Sequence, residues 1–385
     1  MSSYLSRDMP ATKSTSVSVT AAAADDSRRE DIPSRLAAKD SARIELVEIN
    51  DPRWMAFARG HQDATVFHHP AWAGVLAQCY GYGPSVFAMM DSAGRITAGL
   101  PVAEVKSWLT GRRLVALPFS DFVPPLAGSN AELSKLLSHF ETYRHDGGWP
   151  KLEVHWELPA QEGVYYEEPV ARHLTHLAAD PVEVFQRFKK TKVQQPIRQA
   201  ERAGVTIRRA ETGRDLELFY GLHLQTRRRL GTPVQPIRFF RLLWEWLLSQ
   251  GLGFALLAYK DKELLAGAVF LHWNGVLTYK YSASDPAYWG LRPNNLLLWH
   301  AIRWGCEQGY RLFDWGRTDL HNQGLLAFKR AWGSEERLIR YSVVADQPPS
   351  GRLVGSTQRL LSSVITHSPS WVCRTIGELL YAHSA

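Results

Sequence analysis

At 385 residues, with 45% apolar and 11% aromatic side chains and 14 tryptophans, the chain can bury a large core and has room for two domains of ordinary size. That excludes a wholly disordered protein. Cys79, Cys306 and Cys373 are widely scattered, with no CxxC and no histidine at ligand spacing, which argues against a disulfide framework or zinc site and for a reducing compartment. The net charge of +7 is regional: residues 180–230 hold 12 Lys/Arg against 6 Asp/Glu. Such a face suits a phosphorylated, anionic or nucleic-acid ligand, or is a solvated helix surface.

In chain order, residues 1–42 are rich in Ser, Thr, Ala and Asp and read as a disordered N-terminal tail. Residues 16–24 are small and Thr-rich rather than a signal-peptide core, and no apolar run approaches the ~18 residues that span a bilayer, so a cytoplasmic protein is expected. Alternation over 43–49 predicts a strand, and Asp51-Pro52 opens a short helix. Residues 70–80 form a helix with Trp72, Val75, Leu76 and Tyr80 on one face. His68-His69 has no third ligand within sequence reach and reads as a turn before Pro70; no metal is implied.

Strands follow over 85–90 and 96–106, joined by a hairpin-like turn, and over 113–117. An irregular loop over 119–126 leads to a helix over 131–145 and a strand over 151–156. The second half repeats that order. Helices are predicted over 180–190 and 196–203, a strand over 205–209, and helices over 215–230 and 239–250. Three meander strands cover 254–259, 264–273 and 276–282. A helix over 296–308, a strand over 311–315, a short helix over 325–332 and a strand over 338–344 complete it. The order strand, helices, meander, loop, helix, strand thus occurs twice, a structural duplication. Amphipathic stretches over 354–365 and 371–381 pack on the body or lie on a membrane surface.

Several stretches of the second half carry a resemblance. They are Phe188-Lys189-Lys190, Pro196-Ile197-Arg198-Gln199-Ala200-Glu201, Thr226-Arg227-Arg228-Arg229-Leu230-Gly231-Thr232-Pro233 and Tyr279-Lys280-Tyr281-Ser282-Ala283-Ser284-Asp285. Arg292-Pro293-Asn294-Asn295, Phe313-Asp314-Trp315-Gly316-Arg317-Thr318 and Phe328-Lys329-Arg330-Ala331-Trp332-Gly333 complete the set. Together they resemble the FemAB family of aminoacyl and acyl transferases, most of all the branch associated with exosortase (PEP-CTERM) and exopolysaccharide gene clusters. The first half resembles it only loosely.

The resemblance implies an α/β (α+β) fold of tandem GNAT-like domains with mixed central sheets. A first domain would span 43–178, a second, acyltransferase domain 179–347, and C-terminal amphipathic helices 348–385. It also implies transfer of an acyl or aminoacyl group to an amine or hydroxyl of a cell-envelope, peptidoglycan or exopolysaccharide precursor. No tightly bound cofactor is expected; acyl-CoA and aminoacyl-tRNA are the two donors to be tested. The expected partners are the precursor, tRNA, and the inner face of the membrane through the C-terminal helices.

Acyl transfer passes through a tetrahedral oxyanion and needs a cation or donor aimed at it, with a group to take the proton. By the resemblance, Lys329 is the candidate cation, and a surface lysine is its plain alternative. Asp314 either orients or deprotonates the nucleophile, caps the next loop, or pairs with Arg317. Arg317, Arg198 and Lys190 suit a phosphorylated precursor or a tRNA end. Asn294 and Asn295 stand at a helix N-terminus, where GNAT enzymes hold the CoA pyrophosphate on free N–H groups. Pro293 departs from their Gly-rich loop because it removes a donor. Tyr281 and Asp121 are read as lining an acceptor cleft between the domains, or as core and turn residues. A catalytically silent GNAT-like module that binds polysaccharide-synthesis machinery or a membrane is the reading of a different class.

Overall fold

Alternating side chains put Val47 inward and Glu48 outward in the first described strand, whereas central strands such as Glu263–Trp273 are buried on both faces. The computed structural model describes residues 43–108, 111–349 and 355–381; the expected N-terminal tail and the start of the stretch over 354–365 lie outside them. The strands in chain order are β1 (Arg43–Glu48), β2 (Gly83–Met90), β3 (Ile96–Ser107), β4 (Gly111–Val115), β5 (Leu126–Ala127), β6 (Lys151–Val154), β7 (Val164–Tyr166) and β8 (Val170–His176). They continue with β9 (Thr206–Arg209), β10 (Gly253–Lys260), β11 (Glu263–Trp273), β12 (Val276–Ser284), β13 (Leu312–Asp319), β14 (Glu335–Ile339) and β15 (Ser342–Ala345).

The first sheet runs β1-β2-β3-β4-β6-β15-β7, with β5 paired to β3; the second, read in the same sense, runs β9-β10-β11-β12-β13-β8-β14. In each, an antiparallel meander of four strands ends in one short parallel pair, β4 with β6 and β12 with β13. The two halves are therefore built alike. They also exchange a strand: β8 precedes the second half yet sits beside β13, whereas β15 comes from the end of the second half and sits beside β6. The single strand expected over 338–344 is two strands on two sheets, broken at Arg340-Tyr341.

Helices cover both faces. The helix Pro70–Tyr80 packs on Ile237–Leu243 and on the π-helical turn Trp244–Leu248, so the main core runs continuously from the first sheet into the second half. Gly74 makes that approach possible, since a Cβ there would lie 2.5 Å from the Trp246 ring. A second core, under Pro181–Gln186, Gln195–Arg202 and Pro293–Glu307, buries Phe188, Leu297, Trp315 and Trp332. The helix expected over 180–190 ends at Gln186 because Lys189 adopts an extended conformation before a π turn at Lys190–Gln194.

Candidate functional site

Strands β12 and β13 are hydrogen-bonded only through the pairs Val276–Leu312, Leu277–Phe313 and Thr278–Asp314, and then separate. Both carry a bulge just past that point. Lys280 has no partner on β11, where the register shifts between Val269 and Phe270. On β13 the register against β8 shifts between Asp314 and Arg317, with Gly316 at φ +67°, a conformation glycine adopts without strain.

The β13 bulge turns three carbonyls onto Lys329, whose Nζ donates to Trp315 O (2.6 Å), Gly316 O (3.1 Å) and Arg317 O (3.3 Å). An ammonium has three N–H groups, so all are engaged. Lys329 lies on the short helix Gln323–Arg330, 3% exposed, and burial pushes its pKa down to about 8 although the charges of Asp121 and Asp314 pull it up.

Asp314 is buried too. Its Oδ2 accepts from Arg172 Nε (3.0 Å) and Nη2 (2.7 Å), and its Oδ1 from the Gly316 N–H (2.9 Å). It braces the bulge from below, and its partner is Arg172 of β8 rather than Arg317. Arg317 points outward, donates to Asp319 (2.8 Å) and lies 5.1 Å from the Tyr341 ring centre.

The first half reaches this point through the loop after β4, where Leu117 and Phe119 both hold positive φ. Lys280 clamps the loop: its Nζ donates to Phe119 O (2.7 Å) and Asp121 Oδ2 (3.0 Å). The Tyr341 hydroxyl donates to the Asp121 carbonyl. The Lys280 side chain is 5% exposed and its ammonium faces the rings of Phe67, Trp72 and Tyr281. Asp121 then stands over the β13 bulge, since a Cβ on Gly316 would lie 3.3 Å from its Oδ2. Sequence reasoning quoted Lys280 without assigning it a role; a lysine between two tyrosines inside an apolar strand was the available signal.

Beside the separating strands lies a cavity of about 300 Å³, lined by Tyr279, Trp289, Arg292, Asn294, Asn295 and Phe328. Asn295 is 9% exposed and its Nδ2 has no hydrogen-bond partner among the described residues. Pro293 supplies no N–H, and those of Asn295 and Leu296 turn back to the Arg292 carbonyl (3.2 and 3.5 Å). The first turn of Pro293–Glu307 therefore does not offer the row of free N–H groups that cradles a pyrophosphate.

Of the sequence-predicted residues, Asn294, Asn295, Lys329, Asp314 and Asp121 fall around this one place. Tyr281 packs edge-on against Phe239, Phe240 and His223, beside the Lys280 clamp. Arg198 and Lys190 are exposed elsewhere, Arg198 over the Phe185 ring at 5.8 Å.

A four-strand meander ending in a short parallel pair, built twice in one chain and in the second half parting beside a helix N-terminus, defines a tandem fold of the GNAT type. Residues 187–330 match the family model described as an acetyltransferase (GNAT) domain. The fold is FemAB-like: a solved structure of FemX superposes with a TM-score of 0.64 at 16% identity, covering 79% of this chain and 98% of FemX. Curated relatives include the lipid II:glycine glycyltransferases of Staphylococcus haemolyticus (strain JCSC1435) and Staphylococcus epidermidis (strain ATCC 35984). Each is 30% identical over 92 residues, and the match spans 22% of this chain and 22% of the relative.

Proposed function

We propose that this protein transfers an aminoacyl group, in preference to an acyl group from CoA, onto an amine or hydroxyl of a cell-envelope precursor. The observation that carries the reading is the gap between β12 and β13, with a cavity beside it and a carboxylate from the other half of the chain, Asp121, against the β13 bulge. The relatives named for moving glycine onto lipid II supply the acceptor class. The exopolysaccharide setting would change the acceptor, not the chemistry.

The donor carbonyl sits in the gap, where the released peptide at the Lys280 bulge can meet the developing oxyanion. The acceptor nitrogen or oxygen attacks the carbonyl carbon from the Asp121 side. The new C–N or C–O bond forms first, giving the tetrahedral oxyanion as the acceptor's proton passes toward Asp121 Oδ1; collapse then breaks the bond to the carrier, which leaves with its electron pair and takes that proton. Lys329 and Asp314 hold the bulge that shapes this space, and Lys329 adds positive potential to it.

The poor pyrophosphate cradle is what favours an aminoacyl donor over acyl-CoA. The test is calorimetric titration of the protein at low salt with glycyl-tRNA and with acetyl-CoA, followed by the same titrations of Asn295→Ala. Micromolar binding of charged tRNA, weakened by Asn295→Ala, and none of acetyl-CoA below millimolar are expected. Acetyl-CoA binding tighter than millimolar and lost in Asn295→Ala would overturn the donor assignment.

A further inference from the structure

The helix Ser370–Leu380 is docked along one face only. Cys373 and Gly377 are buried, with Gly377 against the Val234 carbonyl. The opposite stripe, Trp371, Arg374, Thr375, Glu378 and Leu379, follows the i, i+3, i+4, i+7, i+8 pattern and is exposed throughout. Trp371 is 71% and Leu379 65% exposed. Two large apolar side chains held outward on a helix whose inner face is already packed need a reason.

The helix lies along Gly213–Arg229, close enough for the Arg374 and Glu378 charges to act on the Tyr220 phenol and Arg227 on that of Tyr381. That neighbour ends in Arg227-Arg228-Arg229-Leu230. Among the described residues none of these three arginines pairs with a carboxylate. Leu230 is 61% exposed, and Arg229 stacks 5.1 Å from the exposed Trp289 ring. Gly231 next to it touches Ser362 and Thr366 of the helix Gly355–His367. Isolated Trp and Leu side chains, beside an Arg374–Glu378 pair and the three arginines without carboxylate partners, two of them half-buried, do not form the continuous apolar core of a protein–protein interface. They match a bilayer boundary, where indoles seat at headgroup depth and guanidinium groups meet anionic lipid.

We propose that this face, the outer stripe of Ser370–Leu380 with the Arg227–Leu230 corner, docks the protein on an anionic lipid surface. The face borders the site at both ends: Trp289 lines the cavity, and the Tyr381 ring packs 4.7 Å from Phe119 in the loop that carries Asp121. Docking therefore sets the loop that carries Asp121 beside the headgroup layer, where a lipid-linked acceptor presents its amine. This last step rests on the envelope-acceptor reading; the docking itself does not.

The test is co-flotation of the full chain with vesicles of roughly three parts phosphatidylcholine to one part phosphatidylglycerol, and with phosphatidylcholine alone, at low and high salt. Partition at least ~10-fold stronger into the anionic vesicles, weakened by salt, is expected. Trp371→Ala with Leu379→Ala should weaken it by ~30-fold or more, with unchanged thermal unfolding because both positions are exposed, and Arg229→Gln should weaken it by about fivefold. No flotation, equal flotation with zwitterionic vesicles, or flotation untouched by the double change would each overturn the proposal. Flotation as expected without aminoacyl transfer would count against the enzymatic reading alone, and transfer without flotation against the docking alone.

Discussion

An ammonium that gives all its protons to main-chain carbonyls, as Lys329 does to Trp315, Gly316 and Arg317, is charged below its pKa and so carries a burial penalty there. Its pKa in the fold is about 8, against 10.5 for a free lysine, because burial disfavours the charged form. Between those values the unfolded chain binds more protons than the fold, so stability contributed through Lys329 rises with pH across that window. Urea unfolding of the parent and of Lys329→Met at pH 7.5 and 10 should show the parent gaining roughly 2 kcal/mol relative to the variant. A gap that stays constant would mean that Lys329 titrates as a free lysine. Asp314 invites a companion comparison. Removing it leaves the Arg172 guanidinium, 11% exposed as a side chain, without its carboxylate, and Asp314→Ala should cost about 3–5 kcal/mol. The exposed pair Arg317–Asp319 should be worth less than ~1 kcal/mol when Arg317 becomes Ala. Equal losses from the two changes would show that the buried pair is not a brace.

At the scale of elements, the two bulges decide where the site forms. Gly316 combines φ +67° with the close approach of Asp121, so Gly316→Ala meets both backbone strain and a crowded Oδ2. A loss of about 1–3 kcal/mol is expected. The same change should raise exchange of the Phe119–Asp121 amides measured by hydrogen exchange, and protection unchanged there would separate the bulge from the loop. The meander β10-β11-β12 was legible as long apolar runs set off by the turns at Asp261-Lys262 and Asn274-Gly275, and the helix Pro293–Glu307 by its length and apolar spacing. Strand β8 was not. It is shorter and, buried on both sides between β13 and β14, lacks in-out alternation, while Arg172, His173 and Thr175 stand inside its apolar run. With it went the partner of Asp314. Arg172 is far from Asp314 in sequence, and reading along the chain offered the nearer Arg317 instead. Likewise Asn294 and Asn295 were found from a local helix start, whereas the Lys280–Asp121 clamp joins opposite halves of the chain and leaves no local pattern.

For the whole molecule, acid should act through histidines that the fold holds neutral. His68, His69, His155, His223, His272 and His300 are all pushed down to about 4, in each case chiefly by burial. A histidine with a lowered pKa in the fold takes up its proton more readily when unfolded, so its contribution is complete above pH 6.5 and is lost as pH falls toward 4. His68 and His223 are the most enclosed. His68 Nδ1 accepts the Thr65 N–H (3.0 Å), which leaves Nε2 to donate to the Pro124 carbonyl (2.9 Å), and His223 Nε2 meets Gln235 Oε1 (2.9 Å). Each should withdraw up to roughly 3 kcal/mol between pH 6.5 and 4. Urea midpoints at pH 7, 6 and 5 should therefore fall with increasing steepness, and His223→Gln should flatten the fall by one group. Midpoints that hold level from pH 7 to 5 would mean that these rings are reached by water in solution. Because His68 anchors Pro124, three residues beyond Asp121, the loop beside the β12–β13 gap should loosen when His68 takes up its proton. Fluorescence of a probe on that loop should then move at a higher pH than the global unfolding signal.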